Sequence, residues 1–90
     1  MTQVLNHVVM WTLRHPEEAA RFKQLLDSCV GLVPGMLRFD VGVRSDGLEA
    51  NADVVLVSTF ASRQALDDYL NHPHHKTVAA QLGPMRLTRS

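Results

Sequence analysis

Ninety residues allow one domain with a thin core, and 46% hydrophobic against 20% charged residues excludes a disordered chain. Nine Lys+Arg balance nine Asp+Glu, so no basic excess marks the chain for nucleic acid or an anionic membrane. Neutrality also lowers the barrier to self-association. The single cysteine, Cys29, has no intrachain partner, which points to a reducing compartment and a buried structural thiol. The opening "MTQVLNHVVMW" lacks a basic n-region and a small-residue cleavage site, so no signal peptide is expected. The apolar runs are too short to span a membrane. The expected location is cytoplasmic.

In chain order, "VLNHVVMWTL" over 4–13 is rich in β-branched residues and reads as a strand. His7, Val9, Trp11 and Leu13 share one face and Val8, Met10 and Thr12 the other, so both faces call for cover. Pro16, Glu17 and Glu18 open a helix, with proline and two acids suited to its first turn. Phe22, Leu25, Leu26, Cys29, Val30 and Val33 then recur at helical spacing until Pro34-Gly35. A second strand over 36–45 alternates Leu37, Phe39, Val41 and Val43 with Arg38, Asp40, Gly42 and Arg44. Residues 46–52 read as a loop and 53–60, "DVVLVSTF", as a strand apolar on both faces. Ser62 is a fitting N-cap for a helix burying Ala65, Leu66, Tyr69 and Leu70. Pro73 starts a further helix with His75, Val78, Ala79 and Leu82 on one stripe, ended by Gly83-Pro84. "MRLTRS", 85–90, can begin a fourth strand.

The order β-α-β-β-α, with a short extra helix and the beginnings of a last strand, predicts one α+β domain over 1–90 on a ferredoxin-like plan. Its helices cover one face of an antiparallel sheet. The apolar residues of the other face need a second cover, and another copy of the same sheet is the economical one. A homodimer joined through its sheet faces is therefore expected.

Four stretches, "NHVVMW", "VPGM" at 33–36, "DVVLVSTFAS" at 53–62 and "YLNHPHH" at 69–75, resemble the stress-responsive α/β-barrel domain family. They follow one another at matching spacing along nearly the whole chain, and the Tyr-x-x-His-Pro-x-His pattern is the most specific. The resemblance implies small dimeric ferredoxin-like chains. It also implies a pocket between helices and sheet, lined here by His7, Val9, Trp11, Phe22, Leu26, Leu56 and Val78. One family member, olivetolic acid cyclase, closes a polyketide by aldol condensation; matching its motif residue by residue points to His75, Tyr69 and His7. Family members usually continue into a terminal strand, often with a Val-Asp-aromatic motif. This sequence stops at Ser90 before it, and an open sheet edge would weaken a dimer, so a longer natural chain is expected.

Each candidate has a plain reading beside the chemical one. His75 is either a core histidine bonded to backbone or a pocket base, imidazole being the usual base near neutral pH. Tyr69 is either a core aromatic or the acid that polarises a carbonyl while His75 takes the α proton. His7, polar on an apolar face, needs a partner, which Tyr69 or His75 can supply. Trp11 forms pocket wall or core. His72 and Pro73 serve the junction between two helices, and His74 points to solvent. The spacing of His72, His74 and His75 does not aim two imidazoles at one ion, and no Cys or acid lies within three positions. No metal is expected. Nor is a cofactor: the chain has no phosphate loop, nucleophile elbow or Cys-x-x-Cys.

Two functions of different class follow. The first is a homodimer that binds a hydrophobic small molecule without known turnover. The second is a cofactor-free cyclase or lyase using His75 and Tyr69 as base and acid. An antibiotic-biosynthesis-type monooxygenase shares the fold but not the motif and ranks third.

Overall fold

The computed structural model of the chain describes residues 3–90. Met1 and Thr2, which open the stretch read for a signal peptide, lie outside the described residues. Strands β1 (Leu5–Leu13), β2 (Met36–Val43), β3 (Val54–Phe60) and β4 (Arg86–Arg89) form one antiparallel sheet in the order β2-β3-β1-β4. Helices α1 (Ala19–Asp27), α2 (Arg63–Asn71) and α3 (Pro73–Leu82) complete the ferredoxin-like α+β plan expected from the sequence. Among the described residues, no helix is long and apolar enough to cross a membrane.

The register explains the core. Rungs run Phe39–Ser58–His7, Val41–Leu56–Val9 and Val43–Val54–Trp11–Arg89 across the sheet, so side chains of one pleat meet the helices. Phe22 and Leu26 of α1, Ala65 and Tyr69 of α2, and Val78 and Leu82 of α3 pack down onto that pleat. Phe22 is fully buried and meets Trp11 edge-on with ring centroids 5.1 Å apart. Burying such a side chain contributes about 2–3 kcal/mol. On the opposite pleat, Val8 and Met10 stay 51% and 42% exposed, since the helices of the described residues lie on the other face.

Three details depart from the sequence reading. The first helix ends at Asp27, although its apolar stripe runs on to Val33. A 3₁₀ turn at Pro16–Glu18 precedes it. After Asp27 the Ser28 hydroxyl donates to the Leu25 carbonyl at 2.6 Å, and Gly31 and Gly35 turn the chain with φ of 75° and 87°. Cys29 and Val33 are still buried from these turns, whereas Val30 faces solvent. The second departure is Leu37, expected inside but 60% exposed. A register shift between Met36 and Arg38 turns Met36 inward instead and leaves Leu37 in the bulge. Val43, also expected inside, sits exposed at the strand's end.

The third departure is His74, which does not simply face solvent. Its Nε2 lies 2.8 Å from the Ser28 hydroxyl, tying α3 to the end of α1. The connection between β2 and β3 is closed by Asp53, whose carboxylate accepts from the Leu13 N–H at 2.8 Å and pairs with Arg44 at 3.2 Å. That joint pins the connection to the far end of β1.

Candidate functional site: a cleft between α3, β1 and β4

The site begins at the joint between α2 and α3. Ser62 caps α2, its hydroxyl accepting from the Ala65 N–H at 3.1 Å. His72 is at once the C-cap of α2 and the N-cap of α3. Its extended backbone is the conformation that the following Pro73 demands. Its Nδ1 accepts from the His74 N–H at 3.0 Å. One residue thus turns the chain and sets the direction of α3.

That direction carries His75 over the sheet. His75 Nδ1 donates to the Leu70 carbonyl at 3.2 Å, which leaves Nε2 as the ring atom able to accept a proton or a hydrogen bond. The Tyr69 ring lies against the imidazole at a centroid distance of 4.5 Å and against Phe60 at 5.3 Å. Burial, with Cys29 alongside its hydroxyl, pushes the Tyr69 phenol far above its ordinary range, so it keeps its proton. Burial likewise raises the Cys29 thiol.

Burial lowers His75 below the usual imidazole value of 6.5; the hydrogen bond to Leu70 works against this, and the Arg89 and His72 charges add to it. His7 is lowered by burial first, then by Arg89 and His75. Both imidazoles are therefore neutral at pH 7. The His7 backbone is held by Ser58, whose hydroxyl donates to the His7 carbonyl at 2.9 Å. His7 Nδ1, however, is buried with no hydrogen-bond partner among the described residues, so neither Tyr69 nor His75 satisfies it. An unpaired buried ring nitrogen costs about 1–3 kcal/mol.

A cavity of about 130 Å³ opens beside His75, walled by Trp11, Ala79, Leu82, Arg86 and Arg89. Of the residues expected to line a pocket, Trp11 and His75 reach this cavity. Val9, Phe22, Leu26, Leu56 and Val78 fill the packed core behind it, and Tyr69 backs the imidazole. Arg86 and Arg89 were not singled out in the sequence. A larger groove of about 350 Å³ lies under the 44–53 connection, on the Met10–Val55–Gly42 rung of the opposite pleat. Its charged lining residues, Arg44 and Asp53, are paired with each other, which leaves it apolar and without a free titrating group. Among the described residues, no group of three or more His, Cys, Asp or Glu side chains is placed to hold a metal ion.

The model of the stress responsive A/B barrel domain matches residues 5–90. No curated protein matches the chain significantly. Solved structures share the fold. A dimeric ferredoxin-like protein of unknown function from Thermobifida fusca is 17% identical with a TM-score of 0.86, covering 100% of this chain and 88% of its own. A Dabb family protein of ferredoxin-like fold from Mesorhizobium loti is 22% identical with a TM-score of 0.77, covering 97% and 90%. A cofactor-independent oxygenase from Streptomyces nogalater is 16% identical with a TM-score of 0.75, covering 100% and 90%. With a family model spanning residues 5–90 and the sheet order of a ferredoxin-like fold, the chain belongs to the stress responsive A/B barrel domain family.

Proposed function

We propose that this protein is a homodimer that binds a small hydrophobic molecule in the cleft between α3, β1 and β4. The observation that carries the reading is the placement of His75. Its Nδ1 is engaged by Leu70 while the ring borders a cavity otherwise walled by Trp11, Ala79, Leu82 and two arginines. A free acceptor nitrogen beside an indole and aliphatic walls is the ordinary anatomy of a small-ligand site. The dimer is supported by the uncovered Val8–Met10 pleat and by dimeric relatives of the same fold.

Trp11 is the only tryptophan, so its fluorescence reports on the cavity directly. One-ring aromatic probes should change that emission saturably, and Ala79→Phe, which grows a ring into the cavity from its rim, should abolish the response. Emission indifferent to every such probe, or unaltered by Ala79→Phe, would refute the cleft as a binding site.

A second reading is favoured by the neutral His75 imidazole. A base held neutral at pH 7 with Nε2 free can remove a proton α to a carbonyl; for Tyr69, still protonated, to polarise the carbonyl oxygen, its buried hydroxyl would have to turn from Cys29 toward the cavity. The protein would then be a cofactor-free cyclase or lyase. Under this reading His75→Ala lowers turnover of a carbonyl substrate about a hundredfold or more while binding persists. Activity should rise with pH through an apparent pKa below 6.5, because burial lowers His75. Turnover unchanged in His75→Ala would dismiss the base.

A further inference from the structure

Arg86 and Arg89 are three residues apart. In a regular strand that odd spacing sends two side chains to opposite faces. In β4 it does not. Leu13 pairs with Arg86 and Thr12 with Thr88, so Leu87 is an extra residue between two rungs, and the next rung pairs Trp11 with Arg89. The bulge restores Arg89 to the pleat of Arg86, and both line the cavity beside His75. Neither arginine makes a salt bridge among the described residues, whose acids pair elsewhere or stand apart. Two guanidinium groups without an ion-pair partner and a free Nε2 on His75 therefore border one cavity.

Repulsion between two like charges is unfavourable unless something negative completes the set. Among the described residues, no carboxylate lines the cavity. A ligand can bring the complement: a planar fork of N–H donors matches a carboxylate or a phosphate, and beside the Trp11 and Leu82 walls a carboxylate on an apolar body suits both halves of the cavity. Volume narrows the class further. A cavity of about 150 Å³ accepts a benzene ring, so about 130 Å³ suits one ring or a short chain rather than an extended polyketide.

We propose that the ligand of this cleft is a small monocyclic or short-chain organic acid, its carboxylate held by Arg86 and Arg89 and its apolar body laid against Trp11 and Leu82. The inference rests on the cleft being a binding site, as proposed above, and adds the charge and size of what enters it.

Benzoate and benzamide separate the two ideas, since they share shape and differ in charge. The titrations are followed by Trp11 fluorescence and by the His75 ring C–H resonance. Benzoate should bind at least about tenfold tighter than benzamide, in keeping with a charge-assisted contact. Arg86→Gln and Arg89→Gln should each weaken benzoate about tenfold or more, while Arg63→Gln, on the exposed side of α2, leaves it unchanged. Bound benzoate should also move the His75 titration upward by offsetting the neighbouring arginine. Added chloride should weaken benzoate and spare benzamide, a reading that needs no substitution. Equal binding of both probes, indifferent to salt and to either arginine, would overturn the acid and leave a site for neutral ligands. Silence of Trp11 and His75 toward both probes would overturn the acid and the cleft together.

Discussion

His7 and His75 are half-buried side chains whose neutral forms fit the fold better than their charged forms. Each titrates below 6.5 in the folded chain and near 6.5 once unfolded. As pH falls through that interval the unfolded chain binds more protons, so acid favours unfolding. The stabilisation is complete above 6.5 and is lost on descending through the lowered folded values. Arg89 from β4 opposes protonation of both, and His72 from the helix joint opposes that of His75. We expect the Tm to be level between about pH 8 and 7 and to fall below 6.5. In the His7→Gln/His75→Gln variant the upper part of that fall should flatten; an unaltered slope would assign it to carboxylates instead. At this scale the sequence pointed to Tyr69 and His75 through one motif and to His7 through another stretch, and of the three only His75 borders the cavity. It hid Arg86 and Arg89, because their shared face depends on one unpaired residue, Leu87, that no alternation pattern reveals.

Among the elements, the turn after α1 offers the clearest test. Gly31 and Gly35 both have positive φ, but a Cβ on Gly35 would lie 2.9 Å from Ala65 Cβ, while one on Gly31 meets nothing within 4 Å. Gly31→Ala should therefore cost only backbone strain, about 1 kcal/mol. Gly35→Ala adds the displacement of α2 and should cost about 2–4 kcal/mol in denaturant unfolding. Equal losses would mean that the contact with α2 relaxes freely. The order of elements was legible from periodicity, and the Ser62 and Pro73 starts were legible from capping chemistry, whereas Pro16 opens a 3₁₀ turn ahead of α1. The end of α1 was not: Cys29 and Val33 keep helical spacing while lying in turns, since burial selects apolar residues whatever the backbone does. The inward turn of Met36 was hidden because it depends on the register shift between Met36 and Arg38, which strict alternation does not reveal.

For the whole molecule the open question is what meets the second pleat. Val8 and Met10 project from β1 into solvent in a single copy, and the 44–53 groove continues the same apolar surface. With equal numbers of acidic and basic residues, no net charge holds two copies apart. Native mass spectrometry and sedimentation should show a dimer. Val8→Glu with Met10→Glu should yield a monomer, because each new carboxylate would face an apolar partner without a counter-ion. Probe binding in the cleft should persist, since that cleft lies on the helix side of the sheet. A monomer in the unaltered protein would defeat the face-to-face assembly. Two-sided apolarity was plain in β1 as a sequence, but the pattern of one chain does not name what covers the second face.

The double cap at His72 has a consequence for how this chain can vary in length. Because α2 and α3 share that residue, no spare position lies between them. Each residue advances a helix by about 100°. One insertion or deletion between Tyr69 and Pro73 would swing the His75 imidazole off the cleft and onto solvent. The same change in the 44–53 connection would be absorbed by its turns. Lineages of this protein are thus free to lengthen at the Asp53 end of the sheet and bound to keep count at the helix joint.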